Sequence, residues 1–149
     1  MINFNSMRVF TAKDKLPAKN EDKTFCFLAG SIDFKESTSW RDLVVSKSSK
    51  NTIFFDPTRE DHDTLGNQEM VCHIQWELEA LEIADMIILN FLPDAKSPIS
   101  LVELGLYMRL NKLIVVCPKG FYQYRYVSTI CDKYNTPIYH NLKEVFKYV

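Results

Sequence analysis

Two glutamates have the residue type and the surroundings that acid–base or nucleophilic chemistry requires. Glu103 lies in the apolar segment 97–105, where Ser97 and Pro98 form a well-formed helix start. The partial positive charge at a helix N-terminus favours an ionised carboxylate in the first turns, which predicts an anionic Glu103. A desolvatable carboxylate of this kind suits attack on a sugar carbon. Judged from the spacing of the surrounding apolar residues alone, Glu103 is more simply interpreted as a solvent-exposed glutamate, because most helix glutamates face water.

Glu77 is the second candidate, because retaining displacement at an anomeric carbon generally uses a second carboxylic group to protonate the leaving group. Its helix has apolar residues at three- and four-residue spacing, and we expect Ile74, Leu78 and Leu81 to form the buried stripe. Glu77 then lies beside that stripe, and on spacing alone a surface glutamate is the simpler interpretation. Gly105, in a helix interior, predicts a close approach of other atoms to the backbone.

The elements that must position these groups alternate between short apolar runs and helical patterns. Strands are predicted over 25–29, 52–55, 86–91, 113–117 and 137–139, with 7–11 as an optional short strand. Helices are predicted over 37–46, around 70–81, from Pro98 onward, beyond Gly120 and over 142–149. This alternation favours an α/β fold, a flavodoxin-like three-layer sandwich with a five-stranded, mostly parallel sheet. We expect one domain over residues 1–149, with 1–23 as an N-terminal extension or a lid on the substrate side.

In such a sheet, ligands bind beyond the carboxyl ends of the strands, near the switch in strand order. Three segments follow these strand ends, and their candidate binding residues are Gly30, Ser31, Asp33, Asp56, Arg59, Asp61, Ser97 and Ser100. The glycine and hydroxyl of residues 30 and 31 fit an ordinary turn equally well. Neither a P-loop nor a dinucleotide-binding glycine motif occurs in the sequence.

The amino-acid composition indicates which kinds of molecule the chain is suited to bind. The 149 residues include 18 basic and 19 acidic ones, so the formal charge of −1 provides no strong field for a nucleic-acid polymer or an anionic membrane. No apolar run approaches the roughly 20 residues of a membrane span. The four cysteines are widely spaced and the three histidines are scattered. We therefore expect reduced thiols, a cytoplasmic protein, histidines in surface or packing roles, no metal ion, no cofactor and a small-molecule ligand.

Five short segments, taken in chain order, resemble a known family. They are Gly30-Ser31-Ile32-Asp33, Asp56-Pro57-Thr58-Arg59, Gln75-Trp76-Glu77, Ala84-Asp85 and Glu103-Leu104-Gly105. The set is similar to the nucleoside 2-deoxyribosyltransferase family, in its branch of short transferase-like proteins. The resemblance covers about residues 24–146, and the Glu-Leu-Gly motif at its distance from Ala-Asp is its most specific part.

The resemblance implies a flavodoxin-like fold and a double displacement that needs no cofactor. The family's motif glutamate attacks C1′ of a 2′-deoxynucleoside, releases the base and holds the sugar covalently until a second base or water takes it. Carried over by motif, Glu103 is the nucleophile, Glu77 handles the proton of the base, and Asp85 is structural. The resemblance further places Gly30, Ser31 and Asp33 beside sugar and base, and Arg59 and Asp61 in the loop over the base.

Departures from the family pattern leave alternatives open. Ser97 stands where well-studied transferases often have an aspartate that contacts the base. A hydrolase of (deoxy)nucleosides or their 5′-monophosphates, with water as acceptor, shares the same nucleophile. A catalytically inert nucleotide-binding module on the same fold is the other alternative, and a phosphoacceptor receiver domain fits poorly because Ala29-Gly30-Ser31 lacks its acidic cluster. Few basic residues lie near the site, which favours an unphosphorylated nucleoside, and family members usually form homo-oligomers with shared sites.

Overall fold

A computed structural model of the chain describes residues 8–31 and 35–149, and for residues 35–39 it describes the backbone alone. In this part of the chain, six parallel strands form one sheet. They are β1 (Val9–Phe10), β2 (Thr24–Gly30), β3 (Thr52–Phe55), β4 (Met86–Asn90), β5 (Leu113–Val116) and β6 (Ile138–Tyr139). The strand order is β1-β3-β2-β4-β5-β6. Counted from β2, this is the flavodoxin-like order 2-1-3-4-5, which confirms the predicted fold class.

The sheet has six strands rather than the five predicted, because β1 pairs with the outer edge of β3. Val9 lies opposite Phe54, and Phe10 lies opposite Phe55. Two residues are too few to produce a periodic pattern, so the sequence indicates this segment only as a possible short strand. The connector from β1 to β2 is held in place by a hydrogen bond from Trp76 Nε1 to the Asp14 carbonyl oxygen (3.2 Å). Val9, Phe10 and Leu16 of this N-terminal segment pack against the core.

Helices cover both faces of the sheet and give the predicted three layers. The described α-helices are α1 (Lys35–Ser46), α2 (Asn67–Ile83), α3 (Pro98–Tyr107) and α4 (Tyr124–Lys133), and the predicted terminal helix is a 3-10 helix over Leu142–Tyr148. Strand side chains alternate between two clusters, one against α2, α3 and α4 and one against α1 and the C-terminal 3-10 helix. Within residues 8–31 and 35–149, no helix combines the length and apolarity that crossing a membrane requires.

The face that helix α2 turns to the protein interior matches the predicted stripe at Leu81 but not at Ile74 and Leu78. Ile74 and Leu78 are 44% and 41% exposed, whereas His73, Ala80 and Leu81 are buried. The reason is length: a helix of 17 residues is about 25 Å long, and the five residues of β4 extend about 17 Å. The N-terminal half of α2 therefore projects past the carboxyl ends of the strands, where no sheet side chains remain to bury an apolar stripe.

Candidate active site

A cavity of about 420 Å³ opens at the carboxyl end of β2, between α2 and α3. Its volume suits a small organic molecule. The cavity brings together six of the residues singled out from the sequence, namely Gly30, Ser31, Glu77, Ser97, Ser100 and Glu103. Most of the remaining wall is apolar and includes Ile74, Leu78, Ile99 and Val102.

Three of the predicted binding residues do not line this cavity. Asp56 is turned toward Thr58, whose backbone N–H (2.9 Å) and hydroxyl (2.6 Å) both donate to Asp56 Oδ1. Arg59 and Asp61 form a two-point ion pair with each other, at 2.8 and 2.9 Å. Asp33, the fourth residue of the Gly-Ser-Ile-Asp segment, lies outside the described residues.

Gly30 gives the cavity its floor at the end of β2. Its φ of +148° is a conformation that residues with a Cβ rarely adopt. A Cβ atom there would also lie 2.4 Å from the Asn90 carbonyl oxygen and 3.0 Å from Trp40 Cζ2. Glycine therefore allows β2 and β4 to end side by side, with the buried Ser31 in the cavity wall.

The start of α3 carries two buried hydroxyl groups to the cavity. The helix begins at Pro98 after Ser97, as predicted, and the backbone N–H of Leu101 donates to the Ser97 carbonyl oxygen (3.1 Å). The Ser97 side chain does not cap the helix, because its residue is left-handed (φ 51°, ψ 51°). Ser97 Oγ is buried and has no hydrogen-bond partner among the described residues. Ser100 is also buried against the cavity.

Gly105 does not have the close neighbour that was predicted for it. A Cβ built on Gly105 meets no atom within 4 Å, and the residue is exposed. Gly105 lies on the same exposed side of α3 as Val102 and Leu106, which border the cavity and are each 55% exposed. The expectation of a close approach within the chain is therefore wrong, since this part of α3 faces away from the sheet.

Glu103 is held in an apolar part of the cavity. Its Oε2 atom is buried without a hydrogen-bond partner in the described chain. Burial and the like charge of Glu77 raise the pKa of Glu103 from its ordinary value near 4.5 to about 8, and Arg41 acts in the opposite direction. Desolvation therefore opposes the ionised form of Glu103 that the start of α3 was expected to favour.

Glu77 faces the cavity from α2 and has a histidine beside it. His73 Nε2 lies 3.1 Å from Glu77 Oε1, and their side chains are 2% and 18% exposed. The ring of His62, from the loop before α2, meets the His73 ring edge-on at 5.9 Å between centroids. This cluster could not be predicted from the sequence, because residues 62 and 73 belong to different elements that only the fold brings together.

Arg41, which the sequence did not single out, lies fully buried beneath the cavity. Its guanidinium donates to the carbonyl oxygens of Leu28 (3.0 Å), Gly30 (3.3 Å) and Ser31 (3.2 Å). Its Nε lies 3.7 Å from Asp56 Oδ1. Burial lowers the pKa of Arg41 to about 10, and Asp56, Glu103 and Glu77 partly oppose this shift, so the group stays charged at neutral pH.

A signal for Arg41 does exist in the sequence. An arginine between Trp40 and Val44, both of which are buried on α1, falls on or next to the helix face that meets the sheet. A charged residue at such a position requires buried partners. Arg41 finds them in three strand-end carbonyls and one carboxylate.

The arrangement combines a desolvated carboxylate, a second carboxylate with a histidine, and a buried cation. Two carboxyl groups in one cavity can act as nucleophile and acid in one displacement. In the described part of the chain, no group of three or more His, Cys, Asp or Glu side chains could hold a metal ion.

Comparisons with known proteins agree with the fold and identify the family. A solved structure described as a conserved protein from Enterococcus faecalis V583 superimposes with a TM-score of 0.64 at 11% sequence identity, covering 84% of this chain and 96% of that one. At this identity the likeness concerns the fold alone. No curated protein sequence gives a significant match. The family model "nucleoside 2-deoxyribosyltransferase like" matches residues 23–121, which include Gly30, Glu77 and Glu103. The chain therefore belongs to the nucleoside 2-deoxyribosyltransferase-like family.

Proposed function

We propose that this chain is a nucleoside 2-deoxyribosyltransferase that cleaves the N-glycosidic bond of 2′-deoxynucleosides and passes the sugar to another nucleobase. Glu103 attacks C1′ and forms a covalent deoxyribosyl intermediate. The observation that carries the proposal is the buried, unpartnered Oε2 of Glu103 in the cavity wall. Burying a carboxylate oxygen without a partner is costly, and strongly perturbed carboxyl groups in clefts are concentrated at functional sites.

The cavity supports distinct roles for its two glutamates. As Glu103 forms its bond to C1′, the C1′–N bond breaks and its electron pair goes to the base, which needs a proton. Glu77 faces the same cavity and supplies that proton. Arg41 lowers the pKa of Glu103 from beneath the floor, which helps Glu103 to ionise once its proton has moved.

The substrate class follows from the character of the cavity wall. Its apolar side chains, such as Ile74, Leu78 and Val102, suit the faces of a nucleobase. The buried hydroxyl groups of Ser31, Ser97 and Ser100 can bond to sugar or base edges. None of the described residues that line the cavity is Lys or Arg. We therefore propose an unphosphorylated nucleoside rather than a 5′-monophosphate as substrate.

The experiment compares the wild type with two variants on a 2′-deoxynucleoside, with and without a second free base. Glu103→Gln should lose activity by a factor on the order of 10⁴ or more, as expected for a nucleophile. Glu79→Gln, at an exposed position of the neighbouring helix α2, is the matched control and should keep full activity. Mass spectrometry of acid-quenched wild type should show a deoxyribosyl adduct that Glu103→Gln cannot form.

The products decide between the proposal and its alternatives. Base exchange supports the transferase. Release of free deoxyribose alone, even with an excess of the second base, supports a hydrolase. Binding of the nucleoside without any bond cleavage supports a non-catalytic binding module. Higher kcat/KM for the 5′-monophosphate than for the nucleoside would contradict the unphosphorylated substrate.

We further propose that the chain acts as a homo-oligomer. Large apolar side chains on neighbouring α2 and α3 are exposed at the cavity, among them Ile99 (61%) and Leu106 (55%). Leu110, on the 3-10 turn that follows α3, is also exposed (58%). Exposed apolar side chains grouped in this way are typical of protein interfaces. Light scattering of the wild type should give more than one subunit. Leu110→Glu should dissociate the assembly, whereas Tyr126→Glu on α4 should not, and a monomeric wild type would contradict the proposal.

A further inference from the structure

His73 is a buried histidine in the cavity wall, one turn before Glu77 on α2. Its Nε2 atom lies 3.1 Å from Glu77 Oε1. The two atoms are at contact distance but lack the alignment of a hydrogen bond, and neither ring nitrogen has a hydrogen-bond partner among the described residues. Such contacts in catalytic sites are often poorly aligned before the substrate binds and tighten in the complex.

A buried imidazole whose nitrogens lack hydrogen-bond partners in the described chain is energetically unfavourable at this position. The side chain of His73 is only 2% exposed, so water does not satisfy its nitrogens. A buried polar group without partners lowers stability, and an apolar side chain of similar size would fill the same space without this cost. The nearest ionisable group is the carboxyl group of Glu77, which the proposed function already uses to protonate the base.

We propose that His73 is a positioning residue that forms a dyad with Glu77 and holds the proton required by the leaving nucleobase. This inference rests on the proposed function, because it assigns the source of the proton in that reaction. His73 acts through Glu77 and does not itself touch the base.

The proton balance of the reaction shows why such a dyad is useful. Glu103 must be ionised to attack, so its proton needs another place in the cavity. With that proton on the His73–Glu77 dyad, a Glu103 oxygen bonds to C1′, and the C1′–N electron pair goes to the base. The base nitrogen takes this one proton, which passes from His73 through Glu77, and the dyad is left as a Glu77 carboxylate beside a neutral His73. When the second base attacks C1′, its N–H proton returns to the dyad and Glu103 leaves as a carboxylate.

The charged groups around His73 come from four parts of the chain. Glu77 lies on its own helix, His62 on the preceding loop, Glu103 on α3, and Arg41 acts on both glutamates from α1. Among the described residues that line the cavity, only His62 and His73 can carry a positive charge. His62 is 32% exposed at its side chain and lies 3.4 Å from Asp63 Oδ1, whereas His73 faces Glu77. His73 is therefore the better-placed proton store.

The test uses two substrates that differ in their need for a proton. The base of 2′-deoxyguanosine must be protonated as it leaves, whereas 7-methyl-2′-deoxyguanosine already carries a positive charge on the base and leaves without one. We expect His73→Gln to lower kcat for 2′-deoxyguanosine by roughly 10²-fold, in the range of lost proton-transfer catalysis. We expect kcat for the methylated substrate to stay within about threefold. His140→Gln, an exposed histidine remote from the cavity, is the matched control and should alter neither substrate.

A double-mutant cycle measures whether the effects of His73→Gln and Glu77→Gln on kcat depend on each other, which a purely structural role of His73 does not predict. In a dyad, His73→Gln should change kcat for 2′-deoxyguanosine little once Glu77→Gln is present. Thermal unfolding is recorded for each variant, and His73→Asn replaces His73→Gln if the latter does not fold. Equal losses on both substrates, additive losses in the cycle, or no loss would overturn the inference and leave the proposed function intact. A wild type that cleaves neither substrate would overturn both.

Discussion

Gly30 and Asn90 lie so close together that a Cβ atom on residue 30 would come within 2.4 Å of the Asn90 carbonyl oxygen. The two residues are paired at the carboxyl ends of β2 and β4. Their close approach brings the strand ends together where the cavity has its floor, and the next residue, Ser31, enters the cavity wall. The shape of the candidate site therefore depends on the absence of a side chain at position 30.

Gly30→Ala should lower the free energy of unfolding by about 1–3 kcal/mol, the usual cost of a strained backbone position, with the backbone clash adding to it. Gly120→Ala is the control, because a Cβ there meets nothing within 4 Å. We expect this control to change stability by less than about 0.5 kcal/mol. Urea unfolding of both variants measures the difference, and similar values for the two would contradict a special role of Gly30.

Gly105→Ala should have the opposite sign and stabilise the protein. A Cβ at Gly105 meets no atom within 4 Å, and the residue lies within α3. Alanine in a helix interior is favoured over glycine by roughly 1 kcal/mol, which corresponds to a rise in Tm of about 2–4 °C for a chain of this size. A thermal melt decides the matter, and a lower Tm would show that some surface does pack against Gly105.

The fold could be predicted because short apolar runs and turn residues define the strands locally. Residues 25–29 and 86–90 are buried strands in the structure, as their composition indicates, and α3 begins after Ser97 as Pro98 predicts. Alternation of strands and helices then leaves few topologies. The short strand β1 could not be predicted in this way, because two residues form no recognisable pattern and the strand depends on its pairing with β3.

The candidate site could be predicted only in part, because periodicity does not show where a helix projects past its sheet. Ile74 and Leu78 have the spacing of a buried stripe, yet they border an open cavity while His73 and Glu77 point inward. Arg41 was missed for a related reason. Its role arises from three carbonyl oxygens at the end of β2 that become available only when the strand and α1 are packed together.

Asp56 and Asp61, both predicted from the sequence as binding residues, should behave differently when changed to asparagine. Asp56 is mostly buried and faces the fully buried Arg41, so Asp56→Asn should cost about 1–3 kcal/mol by leaving that cation poorly compensated. Asp61 is partly exposed and pairs with Arg59, so Asp61→Asn should change stability little, because exposed ion pairs contribute little. Chemical denaturation compares the two, and an equal effect would contradict the buried role of Arg41.

The raised pKa of Glu103 makes the stability of the protein depend on pH. Its pKa is about 8 in the folded chain and near 4.5 ordinarily, so between these values the folded state binds the proton and the unfolded state does not. Stability from this group is therefore present below about pH 4.5 and is lost progressively as the pH rises to about 8. Above that pH, folding must bury an ionised carboxylate.

Glu103→Gln removes this titration while keeping the size of the side chain. At pH 8–9 we expect the variant to have a higher Tm than the wild type, because it does not bury an ionised carboxylate. Each kcal/mol of this avoided cost should raise the Tm by roughly 2–4 °C. At pH 4–5 the two proteins should have similar Tm values. Thermal unfolding across this range measures the effect. Glu79→Gln, at an exposed position of α2, should show no such pH-dependent gain. A constant difference between Glu103→Gln and the wild type at all pH values would mean that burial does not perturb this carboxyl group, and the strongest physical sign of a reactive Glu103 would be lost.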